Sequence, residues 1–269
     1  VLRLVAALAL GLALACAPER RDARPSFVVL LADDLGPGDL GTGGAEDIRT
    51  PALDRLAREG ASFSDAYAAS PLCSPTRAAL LTGLYPQRLG HGFEDYLGTG
   101  SVGLDPARHR SVLSGEPDLF EDGRPVEAAG YTDGLLADRA VRFVQEAAAS
   151  GEPFFLYLPW LLPHYPLQRP DDPAIAPVGD RATYAAMVEY LDAQVGRILD
   201  ALRDAGIERE TLVVFTSDNG GHATARNAPF SGRKGELREG GIRVPLLLRW
   251  SGRIPPGRRV AAPVVTMDL

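Results

Sequence analysis

At 269 residues, 45% of them hydrophobic, the chain is long enough for one large α/β domain with a substantial core and too short for two full catalytic domains. A formal charge of −7 gives no overall basic surface, which argues against nucleic acid or an anionic membrane as the main partner. Any anion site must therefore be built locally.

Residues 1–16 carry one early positive charge, Arg3, then an apolar stretch shorter than a membrane span, with small residues before Cys16. This reads as an export signal and places the protein in the periplasm or at the cell surface. Ala13-Leu-Ala-Cys16 approximates a bacterial lipoprotein cleavage box, with Ala13 where a branched residue is usual. A membrane tether through lipidated Cys16 is one expectation; an ordinary signal peptide cut nearby is the other. Residues 17–25 are assigned to a linker and 26–269 to the main domain.

Ser26 to Ala32 is a continuous apolar run, the pattern of a strand buried on both faces of a parallel sheet, and it ends in Asp33-Asp34. Thr50 as N-cap, Pro51 at the first helical position and a terminal Gly60 predict a short helix. A second helix is predicted from about Ser74. Between Thr132 and Ser150, Leu136, Ala140, Phe143, Val144 and Ala147 follow helical spacing, and Pro153 to Leu158 reads as a buried strand, closely followed by His164.

The longest predicted helix covers 181–205, with Tyr184, Met187, Val188, Leu191, Val195, Ile198 and Leu202 on one face and Gly206 stopping it. Thr211 to Thr216 is the next strand, leading into Asp218-Asn219. Strands alternating with helices of this length imply an α/β fold with a mostly parallel central sheet flanked by helices on both faces. Ligands of such sheets sit beyond the carboxyl ends of the strands, where Asp33-Asp34, the loop of His164 and Asp218-Asn219 can converge.

Asp33, Asp34, Asp218 and Asn219 form an all-oxygen set suited to a hard divalent cation such as Ca²⁺ or Mg²⁺. A single Asp-Asp after a strand is more often a turn or helix cap; two such pairs at equivalent strand ends weigh toward a metal. Of the two cysteines, Cys16 lies in the leader, so Cys73 stands alone in the domain and forms no internal disulfide. It is either a structural thiol or a chemical one. Of the 28 basic residues 27 are arginine, and the single lysine is Lys234. An ammonium is a compact, deprotonatable charge, so its retention points toward acid/base work unless it is chance in an arginine-rich composition.

Cys73-Ser-Pro-Thr-Arg77, followed by an apolar helix and Thr82-Gly83, resembles the C-x-P-x-R signature of the type I sulfatases, arylsulfatase-like members of the alkaline phosphatase superfamily. Pro163-His-Tyr-Pro166 resembles that family's P-H-x-P, and 232–241 its lysine-containing loop. The resemblance implies a nucleophile made by oxidising Cys73 to formylglycine, Arg77 holding the modified side chain and the sulfate, and His164 and Lys234 binding sulfate and serving the leaving group. It also implies a Ca²⁺ ion, with Mg²⁺ less favoured, on Asp33, Asp34, Asp218 and Asn219. A formylglycine-generating maturation enzyme and a sulfated small molecule or glycan are the implied partners. A helix starting near Cys73 would also present free N–H groups to an anion.

The pattern breaks once. Thr82-Gly-Leu-Tyr-Pro86 runs into His91-Gly-Phe-Glu-Asp-Tyr96, which resembles a later family segment, so the family's G-K-W-H stretch is absent and a deletion is placed near 90/91. The chain also stops before the family's smaller C-terminal subdomain. The expected function is hydrolysis of aryl or carbohydrate sulfate esters. The alternatives are an impaired homologue that binds sulfated glycan and a phosphate or phosphonate ester hydrolase of the same superfamily. His222, His91 and His109 receive no role.

Overall fold

In a computed structural model of the protein, residues 24–89, 119–172 and 174–269 are described. The leader with Cys16, most of the linker, His91, His109 and the 90/91 junction lie outside them. Among the described residues no helix is long and apolar enough to cross a membrane.

In chain order the main elements are β1 (Ser26–Ala32), α1 (Pro51–Glu59), β2 (Ala61–Phe63), β3 (Ala66–Tyr67) and α2 (Cys73–Thr82). After them come β4 (Phe120–Glu121), β5 (Arg124–Pro125), α3 (Thr132–Ser150), β6 (Phe155–Pro159), α4 (Arg181–Asp204) and β7 (Thr211–Ser217). The chain then forms α5 (Glu239–Ile242), β8 (Leu246–Arg249), β9 (Arg258–Val260) and β10 (Val264–Val265).

Six strands form the central sheet in the order β6-β1-β7-β8-β2-β9. β1 lies between β6 and β7 and is parallel to both, with Val29 opposite Tyr157 on one side and Val214 on the other. Only β8 runs against its neighbours, β7 and β2, so the sheet is mostly parallel. β3 pairs with β10, and β4 with β5, as separate two-stranded ribbons.

β1 has apolar residues on both faces because both faces are covered. Val28, Leu30 and Ala32 pack with Leu53 and Leu56 of α1, Val144 of α3 and Val188, Leu191 and Ile198 of α4. Val29 and Val214 face the other way, toward Ala66, Ala68, Leu246 and Leu80 of α2. Helices therefore occupy both faces, three on one side and α2 on the other.

Every apolar position predicted for α4 is buried, from Tyr184 and Met187 to Leu202. Each fully buried Leu, Val or Ile contributes roughly 1.5–3 kcal/mol, so this stripe outweighs anything the helix ends supply. Asp180 caps the helix, accepting from the N–H groups of Ala182 and Thr183 at 3.1 and 3.2 Å.

Two local readings change in three dimensions. Thr50 occupies the N-cap of α1, but its hydroxyl accepts from the Gly41 N–H at 2.8 Å instead of capping the helix. Asp192 of α4 takes that role, accepting from Ala52 and Leu53 at 3.0 and 2.8 Å, and burial pushes its pKa up to about 6. In α3 the buried set is Asp133, Ala137, Ala140 and Val144, a stripe that brings an acidic residue inward.

Candidate functional site

The pairing of β1 with β7 sets the site. Ala32 is in register with Ser217, so the residues that follow, Asp33-Asp34 and Asp218-Asn219, leave the sheet side by side. Ser217 stitches the two exits together: its Oγ accepts from the Leu35 N–H at 3.0 Å and donates to the Asn219 carbonyl at 3.0 Å. The Asp34 N–H reaches Asp218 Oδ1 at 3.2 Å, and Asn219 Nδ2 donates to Asp34 Oδ1 at 2.8 Å. Asp34 holds φ at +67°, a left-handed conformation costly for a residue other than glycine. All four residues are at most 9% exposed.

Cys73 is the first residue of α2, whose N-cap, Leu72, offers no side-chain acceptor. Cys73 Sγ lies 3.5 Å from Asp33 Oδ1 and 3.8 Å from Asp34 Oδ1. One turn later, Arg77 Nε donates to Asp218 Oδ2 at 2.9 Å, and its terminal nitrogen is 2.8 Å from both Asp33 and Asp218. That nitrogen is in ion-pair contact without an aligned hydrogen bond. Thr76 secures the loop before the helix, donating to the Ser70 carbonyl and accepting from the Ser70 N–H.

Lys234 arrives on a loop pressed against the Asp218 exit by main-chain contacts. A Cβ on Gly220 would stand 2.0 Å from the Gly240 carbonyl oxygen, and one on Gly240 would stand 2.2 Å from that of Gly232. The N–H groups of Gly220, Lys234 and Gly235 bond the carbonyls of Gly241, Gly221 and Pro71, wedging the loop between the β7 exit and the segment before Cys73. The ammonium then meets both oxygens of Asp34, at 2.7 and 2.8 Å.

His164 comes from the loop after β6, between two cis X-Pro bonds. Its Nδ1–H donates to the Tyr165 carbonyl at 2.5 Å, which leaves Nε2 facing the cluster 3.6 Å from Asp34. His222 stands behind this loop with its ring edge-on to Tyr165, and its buried Nδ1 has no partner. Burial holds its pKa below the usual value. The structure thus brings together Asp33, Asp34, Cys73, Arg77, His164, Asp218, Asn219 and Lys234.

Three carboxylates face two cations here. Burial, then Asp218, pushes the pKa of Asp33 well up. Burial followed by Asp218, Asp33 and Asp34 raises the Cys73 thiol far above its usual range. Burial opposes the charges of Arg77 and Lys234, yet their carboxylate neighbours outweigh it and hold both groups above their usual values. Asn219 Oδ1 is buried without a partner, although its amide nitrogen is fully used. A buried carbonyl oxygen beside three carboxylates has the chemistry of a hard-cation ligand, so these residues fit a divalent metal. Ligand atoms of Asp33, Asp34, Cys73 and His164 all lie within 4.8 Å of one another.

Set beside known proteins, the chain matches the family described as Sulfatase over residues 25–109 and 91–269. Steryl-sulfatase of Mus musculus is 30% identical over 382 aligned positions, covering 91% of this chain and 60% of its own. N-acetylgalactosamine-6-sulfatase of Canis lupus familiaris is 31% identical over 326 positions, covering 93% and 61%. The structure of Ps i-CgsB in complex with k-i-k-neocarrahexaose superposes with a TM-score of 0.78 at 33% identity, over 91% of this chain and 70% of that one. Phosphonate monoester hydrolase of Agrobacterium radiobacter shares the fold, with a TM-score of 0.63 at 21% identity over 91% and 72%. The chain spans about 60% of the length of the curated relatives it matches.

Proposed function

The chain belongs to the sulfatase family, and from that premise we propose that it hydrolyses sulfate esters at the cluster around Cys73, with residue 73 acting as nucleophile once oxidised to formylglycine. The observation that carries this reading is the placement of Cys73 Sγ 3.5 Å from Asp33, in a cluster that also draws in Arg77 and the chain's single lysine.

As a thiol, residue 73 is poorly suited to attack. Burial and three carboxylates keep it protonated at neutral pH, and the thiolate is the nucleophilic form. Formylglycine, as its hydrate, would supply one hydroxyl to attack sulfur and another to help expel sulfate, which makes a maturation enzyme a required partner. Asp33, Asp34, Asp218 and Asn219 would hold the cation, Ca²⁺ in preference to Mg²⁺, and it would supply positive charge for an anionic ester group.

The chain's own side chains do the remaining work. Arg77 fixes the carboxylates of Asp33 and Asp218, the first of which lies against residue 73. Lys234, held protonated by Asp34, offers a permanent positive charge to a sulfate oxygen. His164 has Nδ1–H committed to a carbonyl, so Nε2 is the atom through which the ring exchanges protons, and in the doubly protonated form it can give one to the departing alkoxide.

A sulfated saccharide is the favoured substrate class, because Ps i-CgsB, whose structure is with neocarrahexaose, is 33% identical to this chain. A second reading, a sulfated-glycan-binding relative with impaired turnover, also has an observation behind it. The alignment to the dog enzyme, at 326 positions, is longer than the 269-residue chain, so the relative carries residues with no counterpart here. That is in keeping with a deletion in this chain, whose place near 90/91 rests on the order of the motifs. The phosphonate monoester hydrolase likeness is one of fold and carries no substrate argument. The reading also includes export to the periplasm or cell surface, through either a lipoprotein leader tethered at Cys16 or an ordinary signal peptide cut nearby.

The test is co-expression with a formylglycine-generating enzyme and mass spectrometry of the peptide containing residue 73. Turnover of 4-nitrophenyl sulfate, 4-nitrophenyl phosphate and a sulfated galactan oligosaccharide then follows. Sulfate turnover that disappears in Cys73→Ala supports the hydrolase. Faster phosphate turnover replaces it with the phosphatase reading, and saturable oligosaccharide binding without turnover by modified protein replaces it with the binding relative.

A further inference from the structure

Asp133 is the second residue of α3 and is 1% exposed, yet among the described residues it takes part in no ion pair. A carboxylate buried without a cation costs several kcal/mol. Burial accordingly pushes its pKa up to about 7, opposed by main-chain N–H groups of Leu161, Leu162 and Asp133 itself. The Leu161 N–H donates to Asp133 Oδ1 at 3.0 Å.

Those two leucines connect two parts of the cluster. The Leu162 carbonyl accepts from the Asp33 N–H at 2.9 Å, and the Leu161 carbonyl accepts from the His164 N–H at 3.0 Å. The Leu161–Leu162 main chain is thus held on one side by Asp133 and on the other by the residues that present Asp33 and His164. Asp33, Asp133 and His164 also line one cavity, together with Leu161, Tyr165 and Met187. A neutral side chain at 133 would fill the same space without paying the desolvation penalty, so the carboxylate is placed for its acceptors.

We propose that Asp133 is a positioning residue: its carboxylate clamps the Leu161–Leu162 main chain and thereby sets where His164 stands relative to Asp33. Its importance for turnover rests on the role given to His164 above, whereas the clamp itself is a property of the folded chain.

The test uses the full chain with Asp133→Ala and Asp133→Asn, each first checked for a cooperative thermal transition. Hydrogen exchange across residues 159–166 and the His164 ring signal in labelled protein, assigned with His164→Gln, are then compared with wild type. Above pH 7, where Asp133 is ionised, loss of a charge-assisted bond predicts exchange at Leu161 and Leu162 faster by roughly tenfold or more in Asp133→Ala. A smaller change is expected in Asp133→Asn, which keeps one acceptor oxygen. The His164 ring signal moves in both. Unchanged exchange and an unchanged ring signal in a folded variant overturn the proposal.

Should neither variant fold, wild type decides alone. A clamped Leu161 amide exchanges as slowly as the core of β1, whereas exchange at the rate of the exposed Asp171 overturns the proposal. If wild type turns over sulfate esters, Asp133→Asn lowers kcat more than it changes KM. If it does not, the proposed function fails while the exchange experiment still judges the clamp.

Discussion

Replacing Lys234 by methionine keeps much of the side-chain stem and removes the ammonium. The lysine side chain is 10% exposed and its partner Asp34 is 2% exposed, with contacts of 2.7 and 2.8 Å, so the lost interaction is a buried one. Breaking such a pair from one side costs about 3–5 kcal/mol, because the remaining carboxylate is left uncompensated. For a domain of this size about 1 kcal/mol corresponds to roughly 2–4 °C in Tm, so the variant should melt some 6–20 °C lower in a chelating buffer. Arg77 would then pair with Asp33 and Asp218 while Asp34 kept, among the described residues, only His164 Nε2 at 3.6 Å as an ion-pair partner, and a divalent cation should be worth more to the variant than to wild type. Saturating a single site stabilises by about 2.7 kcal/mol at a hundredfold excess over Kd. Circular-dichroism melts with EDTA and with excess calcium chloride measure both quantities. Two results refute the reasoning: a Tm loss in EDTA of only a degree or so, or a calcium shift no larger in Lys234→Met than in wild type.

Asn219→Ala removes the one unpartnered oxygen of the cluster, so calcium affinity measured by calorimetry should fall by at least about tenfold, with the fold retained in far-UV spectra. Asp180→Ala should cost about 1 kcal/mol in urea unfolding by uncapping α4. For Asp133 the folded pKa of about 7 lies above the usual 3.8 of an aspartate, so the folded state retains a proton that the unfolded chain releases between those values. Its contribution to stability is therefore greatest at acid pH and declines as pH rises through that window, by at most about 1.4 kcal/mol per pH unit. Asp133→Asn should flatten that part of the pH profile of unfolding free energy, and an unchanged slope between wild type and variant would count against the assignment.

What could be read in the sequence is what local pattern encodes. β1 and β7 announced themselves as apolar runs ending in polar pairs, and α4 by a stripe that is buried at every predicted position. The strands β2, β3, β9 and β10 are two or three residues long and exist only because distant partners complete them, so no window of sequence marks them. β8 follows Pro245 and runs against its neighbours, which a reading based on alternating strands and helices does not anticipate. The roles of two acidic residues in the helices are silent in the sequence for a related reason. Asp192 and Asp133 occupy positions that look polar in a helical pattern, but each accepts main-chain N–H groups from another segment. The meeting of Asp33 and Asp218 was suggested by strand-end logic, and the arrival of Cys73 and Arg77 beside them by the family resemblance. The contact of Lys234 with Asp34, across 200 positions, depends on glycine packing whose geometry the sequence does not display.

That glycine packing has a consequence for how the site tolerates change. Gly220, Gly240 and Gly232 touch through bare main chain, so the height at which the ammonium sits above the sheet edge is set by the thickness of the peptide itself. A methyl group added at Gly220 would act as a shim, lifting the whole loop and carrying Lys234 away from Asp34 without altering either residue. The dimensional tolerance of this charge pair is therefore smaller than one carbon atom, and it is held by residues that contribute no side chain.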